Sequence, residues 1–354
     1  MKSLFRLALG LGSLGVAAVA AAHSVYQLTE VPVLRGYTSG YANSINDNGD
    51  VAGYCQTAAS AMTYVGFTYR NGVLSSTGKS PKKGNYSSAN FVSVTGVVVG
   101  SADTGDFRPQ GFVKTGNSMV NVFPNNGGNT HALRIDDAGR VYGHFIRRGT
   151  ADWQGAMWTP DPRKPGRYNE TILGGAGFPM AFNSMGKAVG YSSTGRQTAA
   201  LWNNSGPRAM QLLQTRPEYT SSLAYGISDN GNAVGSGHPA FSSRALLWRA
   251  RTGYALEELP LLPGDNYGGA NAINRAGVIL GTSAYGVPGT WNIGPSTPIV
   301  WDRGVPAPLD SLLDPASSVG WRIDAAVGIN NQGQIVANAT KDGISRVVVL
   351  TPIQ

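Results

Sequence analysis

Side chains suited to metal or acid–base chemistry are few in this sequence. There are four histidines, His23, His131, His144 and His238, and one cysteine, Cys55. No two histidines stand at the close helical spacing of an H-E-x-x-H zinc site, so neither a metal nor another cofactor is expected. Carboxylates number only 20 in 354 residues. The run Asn46-Asp47-Asn48-Gly49-Asp50 resembles the centre of a calcium loop but lacks the distal glutamate. Asp47, Asp50, Asp136, Asp137 and Asp229 all fall in short turns, where Asp bonds its own backbone. A glycosidase needs two facing carboxylates, and spacing identifies no such pair. The mature chain has no G-x-S-x-G elbow and no phosphate loop. Cys55 has no base near it in sequence, and as the lone cysteine it can form no internal disulfide. It reads as a small buried apolar residue.

The first 22 residues read as a leader. Lys2 and Arg6 precede the apolar stretch Leu7 to Val19, and Ala20-Ala21-Ala22 supplies a small-residue cleavage site. Cleavage after Ala22 would export residues 23–354 to the periplasm or the exterior. The G-x-G-x-x-G match at Gly10 to Gly15 falls inside this leader, without the strand and helix that a dinucleotide site needs, and is set aside. The apolar stretch is too short to span a bilayer, and no later segment approaches that length.

Loss of Lys2 and Arg6 lowers the net charge from +8 to +6. The densest basic cluster is Lys79, Lys82 and Lys83, followed by Arg147-Arg148 and the stretch Arg163 to Arg167. None is dense enough to suggest a nucleic-acid partner. Charged residues are 14% of the chain, while 48 glycines, 20 prolines and 32 aromatic residues favour many short strands joined by tight turns.

The element that organises the chain is a repeat, A-x-x-I-N-x-x-G-x-V-V-G. Its copies begin at Ala42, Ala89, Ala132, Pro179, Ala224, Ala270 and Ala326. Their turn glycines, Gly49, Gly96, Gly139, Gly186, Gly231, Gly277 and Gly333, are 43 to 56 residues apart. Each copy sets two apolar runs around a polar turn, which predicts a β-hairpin. The second small residue, Gly53 in the first copy, sits inside a strand and marks close approach of another backbone.

A third strand follows, ending at Tyr69, Trp158, Trp202, Trp248 or Trp301, with Lys114 and Leu350 in the matching places. The tryptophans are expected to pack between repeats. A Leu- or Val-rich fourth run, such as Met210 to Leu213, completes a four-stranded unit. Seven such units predict an all-β, seven-bladed β-propeller spanning residues 23–354. The last unit lacks a fourth strand, and Tyr26 to Val33 has no unit of its own. An N-terminal strand closing the last blade resolves both and leaves no open sheet edge.

The repeat resembles the bacterial extracellular HAF repeat, of which His131-Ala132 and Ala181-Phe182 carry fragments. The resemblance covers nearly all of the mature chain. It implies secretion and a propeller-like fold, and no assigned activity. The copies have drifted, with Val92 and Phe182 in place of Ile and Ser93 and Ser228 in place of Asn.

Against this frame two sets of residues are candidates for ligand binding. The residues after the second glycine, Tyr54, Ser101, His144, Tyr191, Ser236 and Thr282, with Asn338 in the last copy, are all polar or polar-tipped. They form either a ring lining a funnel mouth or a set of polar strand ends, and His144 either faces the channel or is a hydrogen-bonded strand residue. The loop Ser283 to Pro298, the longest of its class, holds Tyr285 and Trp291. These either stack on a ligand or fold into a small cluster of their own. The expected function is that of a monomeric, secreted binding module for an extracellular or envelope polysaccharide or protein. The competing reading is a polysaccharide hydrolase or lyase with its site in the central funnel.

Overall fold

The computed structural model describes residues 23–353, apart from 58–59, 80–83, 106–107, 123–127, 148, 151–152 and 204–209. The leader, Lys82, Lys83 and Arg148 therefore lie outside the described residues. Alternating burial and tight Gly-containing turns fold the repeats into seven four-stranded antiparallel sheets arranged as a ring, a seven-bladed β-propeller. Blades one to six run Ser39–Gly78, Ser87–Asn121, Thr130–Ile172, Gly177–Leu212, Ser221–Glu258 and Tyr267–Pro308. Blade seven takes three strands from Trp321–Pro352 and its outermost from Tyr26–Val31, paired antiparallel from Tyr26 opposite Pro352 to Val31 opposite Val347. The expected closure is present, with the closing strand two residues shorter than the sequence suggested. Among the described residues no helix is long and apolar enough to cross a membrane.

The hairpin turns of the repeats gather at one end of the channel, here the turn face. Links from second to third strands and from blade to blade gather at the other, the loop face. At the turns the repeat's Asn has two jobs. In blade seven, Asn330 Oδ1 accepts the backbone N–H groups of Gln332 and Gln334, which shapes the turn. Its Nδ2 donates to the carbonyl of Asn46 in blade one at 2.9 Å. Asn46, Asn183 and Asn274 each donate in the same way to the next blade. A side chain selected for its turn thus also joins neighbouring blades, and one of these bonds crosses the seam of the ring.

The tryptophans pack between blades, as the repeat predicted. Trp158, Trp202, Trp248 and Trp301 are buried, and each shares a core with residues of the preceding blade. Trp202, Trp248 and Trp301 donate their indole N–H to Gly174, Gln214 and Pro260 in the preceding connection. Tyr69 and Lys114 hold the tryptophan's register in blades one and two. There Phe67 and Phe112, two residues earlier, fill the space beneath the strand glycine. Cys55 is fully buried beside Val31, Ala42 and Phe67, and burial pushes its thiol pKa up.

The strand glycines are required by a bulge. Every first strand slips register within the repeat, as between Ala42 and Ser44 or Ala224 and Gly226. A β-carbon on Gly53 would collide with the carbonyl of Tyr41, and one on Gly235 with that of Leu223. Blade seven has Ala337 at this position, and its first strand carries a second bulge, between Ile323 and Ala325, whose shifted register accommodates the methyl group. Gly235→Ala is expected to destabilise the protein by about 2–3 kcal/mol. Ala337→Gly should cost under about 1 kcal/mol. Urea unfolding midpoints compare the two; equal losses would contradict the role given to the bulge.

Candidate functional site

On the loop face, the residue before each repeat pairs across the hairpin with the residue after its second glycine. Tyr41 opposes Tyr54, His131 opposes His144, and Phe178 opposes Tyr191. Small residues on the third strand, Gly66, Gly155 and Ala199, stand opposite Tyr54, His144 and Tyr191 and leave room for their rings. The rings run on from one to the next. Tyr41 stacks on Tyr54 with centroids 5.1 Å apart, Tyr54 lies 5.0 Å from Tyr64, and Tyr64 stacks at 4.9 Å on Tyr86 of the next blade. In blades three and four His144 lies 5.1 Å from His131, 5.1 Å from Trp153 and 4.2 Å from Phe178, which stacks on Tyr191 at 5.7 Å.

This packing governs the chemistry of the histidines. His144 is buried, and its Nδ1–H donates to the Pro179 carbonyl at 3.3 Å, an acceptor that fixes the tautomer. Burial, reinforced by His131, pushes its pKa down to about 3, although the Pro179 bond opposes the shift. Burial alone pushes His131 down to about 4, and its Nδ1 lies 3.0 Å from Ser101 Oγ. Both imidazoles are neutral at physiological pH. Burial, and secondarily Tyr41, raises the pKa of Tyr54.

The other half of the loop face is more open. Between blades five and six lies a groove of about 260 Å³ lined by Tyr225, Ser236, His238, Tyr267, Thr282 and Ser296, among others. Its polar groups form a chain, with His238 Nε2 2.8 Å from Ser236 Oγ, which donates to Tyr225 Oη at 3.3 Å. The Tyr267 hydroxyl is buried with no hydrogen-bond partner. Burial lowers the His238 pKa. Among the described residues no carboxylate lines the groove.

The long loop of blade six forms its rim. Gly286 pairs with Ile293, Gly294 N–H donates to Tyr285, and Val287 N–H donates to Asn292, so the loop is a small hairpin of its own. Asn266 holds its base by bonding both the N–H and the carbonyl of Gly286. Trp291 nevertheless remains 68% exposed and Tyr285 53% exposed. The Trp291 ring meets that of Phe241, from the facing loop of blade five, at 5.3 Å. Phe241 is itself exposed and held at positive φ.

The sequence candidates thus separate into two groups. Tyr285 and Trp291 lie in the loop whose Ile293 and Ser296 line the groove, with Ser236 and Thr282 in its wall. Tyr54, His144 and Tyr191 belong to the aromatic arc of blades one to four, their rings packed against neighbours. Side chains of the supposed ring lie in clefts between blades, as where Asn338 Oδ1 accepts the N–H of Ala42. Tyr225, Tyr267 and His238 in the groove, and Phe241 against Trp291, are outside the sequence candidates. Tyr225 occupies a repeat position that Asn fills in three copies, and that substitution was the one legible signal.

No family model matches the chain, and no curated protein matches it in sequence. Solved structures match in fold. YCF48 bound to a D1 peptide aligns with a TM-score of 0.54 at 14% identity, over 95% of this chain and 97% of that one. The propeller domain of the Trilobed protease from Pyrococcus furiosus aligns at 0.53 and 11% identity, over 90% and 94%. An oligogalacturonate lyase in complex with manganese aligns at 0.50 and 10% identity, over 90% of each chain. At these identities the likeness is one of fold: the chain is a β-propeller similar to propellers of several different uses.

Proposed function

We propose that this protein is a secreted binding module, related to the HAF-repeat proteins, whose loop-face groove takes an uncharged segment of an extracellular or envelope polysaccharide. The observation that carries the reading is the exposed Trp291, set with Phe241 and Tyr285 beside a groove of hydroxyls and a neutral imidazole. An apolar platform beside fixed donors and acceptors suits a sugar ring, which presents C–H faces and hydroxyl edges together. The buried, unpartnered Tyr267 hydroxyl adds a polar group that a ligand hydroxyl would satisfy. Without a carboxylate in its lining, the groove lacks the acid–base pair of a glycosidase, which favours binding over hydrolysis. Related folds include one carrying a bound peptide and one from a lyase, and both uses are outcomes that the test distinguishes.

The test is a thermal-shift screen of residues 23–354 against neutral polysaccharides, acidic polysaccharides and extended peptides, followed by assay for product. A neutral glycan is expected to raise the melting temperature without being cleaved. Trp291→Ala is expected to weaken that binding at least about tenfold, the loss of an aromatic anchor of roughly 2 kcal/mol. Because Trp291 is exposed, the melting temperature of the free protein should not change. Stabilisation by peptides alone, or turnover of a glycan, would overturn the proposal.

A further inference from the structure

At the opposite end of the channel all seven blades contribute to a cavity of about 170 Å³. The residue two beyond the start of each repeat follows the register shift of its blade's first strand. Five of these are small, Ser44, Ala181, Gly226, Ala272 and Gly328, and two are large, Phe91 and Arg134. Phe91 and Arg134 line both this cavity and a second one toward the loop face, so together they divide the channel. The Arg134 guanidinium lies 4.5 Å from the Phe91 ring centroid.

Arg134 is the anomaly of this region. Its Nε is buried with no hydrogen-bond partner. The Ser44 hydroxyl, at the same repeat position, is buried and unpartnered as well. Buried guanidinium groups normally meet a carboxylate directly, because an unmet charge costs several kcal/mol. Here the aspartates stand off. Asp136 is taken up by Arg140 at 2.7 Å and Tyr142 at 2.8 Å. Asp229 accepts from Ser184, from Asn331 across the channel and, at 3.5 Å, from the exposed Arg275. Asn331 also holds Asp47 through two bonds of 2.9 Å. Asp137 lies exposed at the rim. These carboxylates offset the charge of Arg134 at a distance, while its Nε stays without a hydrogen-bond partner.

We propose that this cavity binds a small zwitterion of the α-amino-acid type, its carboxylate on Arg134 and its ammonium group among Asp47, Asp137 and Asp229. A bare anion is disfavoured because it must pass three carboxylates to reach the arginine. A bare cation is disfavoured because the arginine forms the floor. Among the described residues no three acidic or histidine side chains stand close enough to share a metal ion. An ammonium group, which reaches each acceptor through a hydrogen bond, spans the wider gaps. The volume suits the ligand, since it corresponds to about five or six waters in the liquid.

Calorimetric titration of the protein with glycine, L-alanine and L-serine tests the site, with acetate and methylammonium as single-charge controls. At least one amino acid is expected to bind saturably, and both controls at least about tenfold more weakly. Arg134→Met, which keeps the contact with Phe91, should reduce binding at least about tenfold. Asp137→Asn, at an exposed position where folding is not at issue, should weaken it about three- to tenfold. No binding of any of the three at about 50 mM would overturn the proposal. So would acetate or methylammonium binding as tightly as the amino acids, or affinity unchanged in Asp137→Asn. This site is separate from the loop-face groove, so each reading stands or fails alone.

Discussion

Removal of residues 23–31 is expected to open the propeller and cost about 5 kcal/mol or more of stability. The strand Tyr26–Val31 carries the outer edge of blade seven and pairs along six residues with its neighbour. Tyr26, Leu28 and Val31 are buried, and apolar burial of three such side chains is worth roughly 5–8 kcal/mol before ordering costs. The strand also anchors the segment before the last blade, with Asp314 N–H donating to the Tyr26 carbonyl and Leu28 N–H donating to the Ser317 hydroxyl oxygen. Its loss exposes a row of unpaired backbone groups, a template for aggregation. Urea unfolding of the truncated chain measures the loss. A synthetic peptide of residues 23–33 should restore stability in trans by adding back the strand. Unchanged stability in the truncated chain would show that the seam is held by blade packing alone.

Acid is expected to destabilise the protein well before its carboxylates titrate, because of His131 and His144. Both have folded pKa values below the ordinary histidine value, about 4 and about 3. Between those values and about 6.5 the unfolded chain binds more protons than the folded one, so stability falls as pH falls. Their contribution is fully present above about pH 6.5. By pH 5 each costs about 2 kcal/mol, because folding must strip the proton that the unfolded imidazole binds: the site, walled by Trp153, Phe178 and Ser101 with no carboxylate among these contacts, excludes the charged form. Denaturation midpoints at pH 7 and pH 5 measure the drop. The variant with both His131→Gln and His144→Gln should lose most of that dependence while unfolding more easily at pH 7. An unaltered pH dependence would place the cause elsewhere.

The fold was legible because its signals are local. A turn with Asn and Gly, a strand glycine and a third-strand tryptophan recur in register, so each copy corroborates the others. Closure was legible from the unmatched strand at each end. The site was only partly legible, since binding surfaces arise between blades where repeats differ. Trp291 and Tyr285 stood out in an unusually long loop. Phe241 did not, because it lies on a different blade from Trp291 and only the ring geometry brings them together. Whether a residue after the second glycine lies in a cleft or toward solvent depends on the neighbouring blade, and His144 is the hydrogen-bonded strand residue of its two readings. Arg134 was a single departure at one repeat position, and its orphaned Nε is visible only once seven turns surround it.

The loop-face groove is the central claim, and the indole N–H signals of the tryptophans test it most directly. A nitrogen-15 labelled sample is titrated with neutral oligosaccharides prepared from bacterial polysaccharides. The Trp291 signal is expected to shift and saturate while those of Trp202, Trp248 and Trp301, buried between blades, stay in place. No shift at Trp291 with any neutral oligosaccharide, or equal shifts at the buried tryptophans, would contradict it.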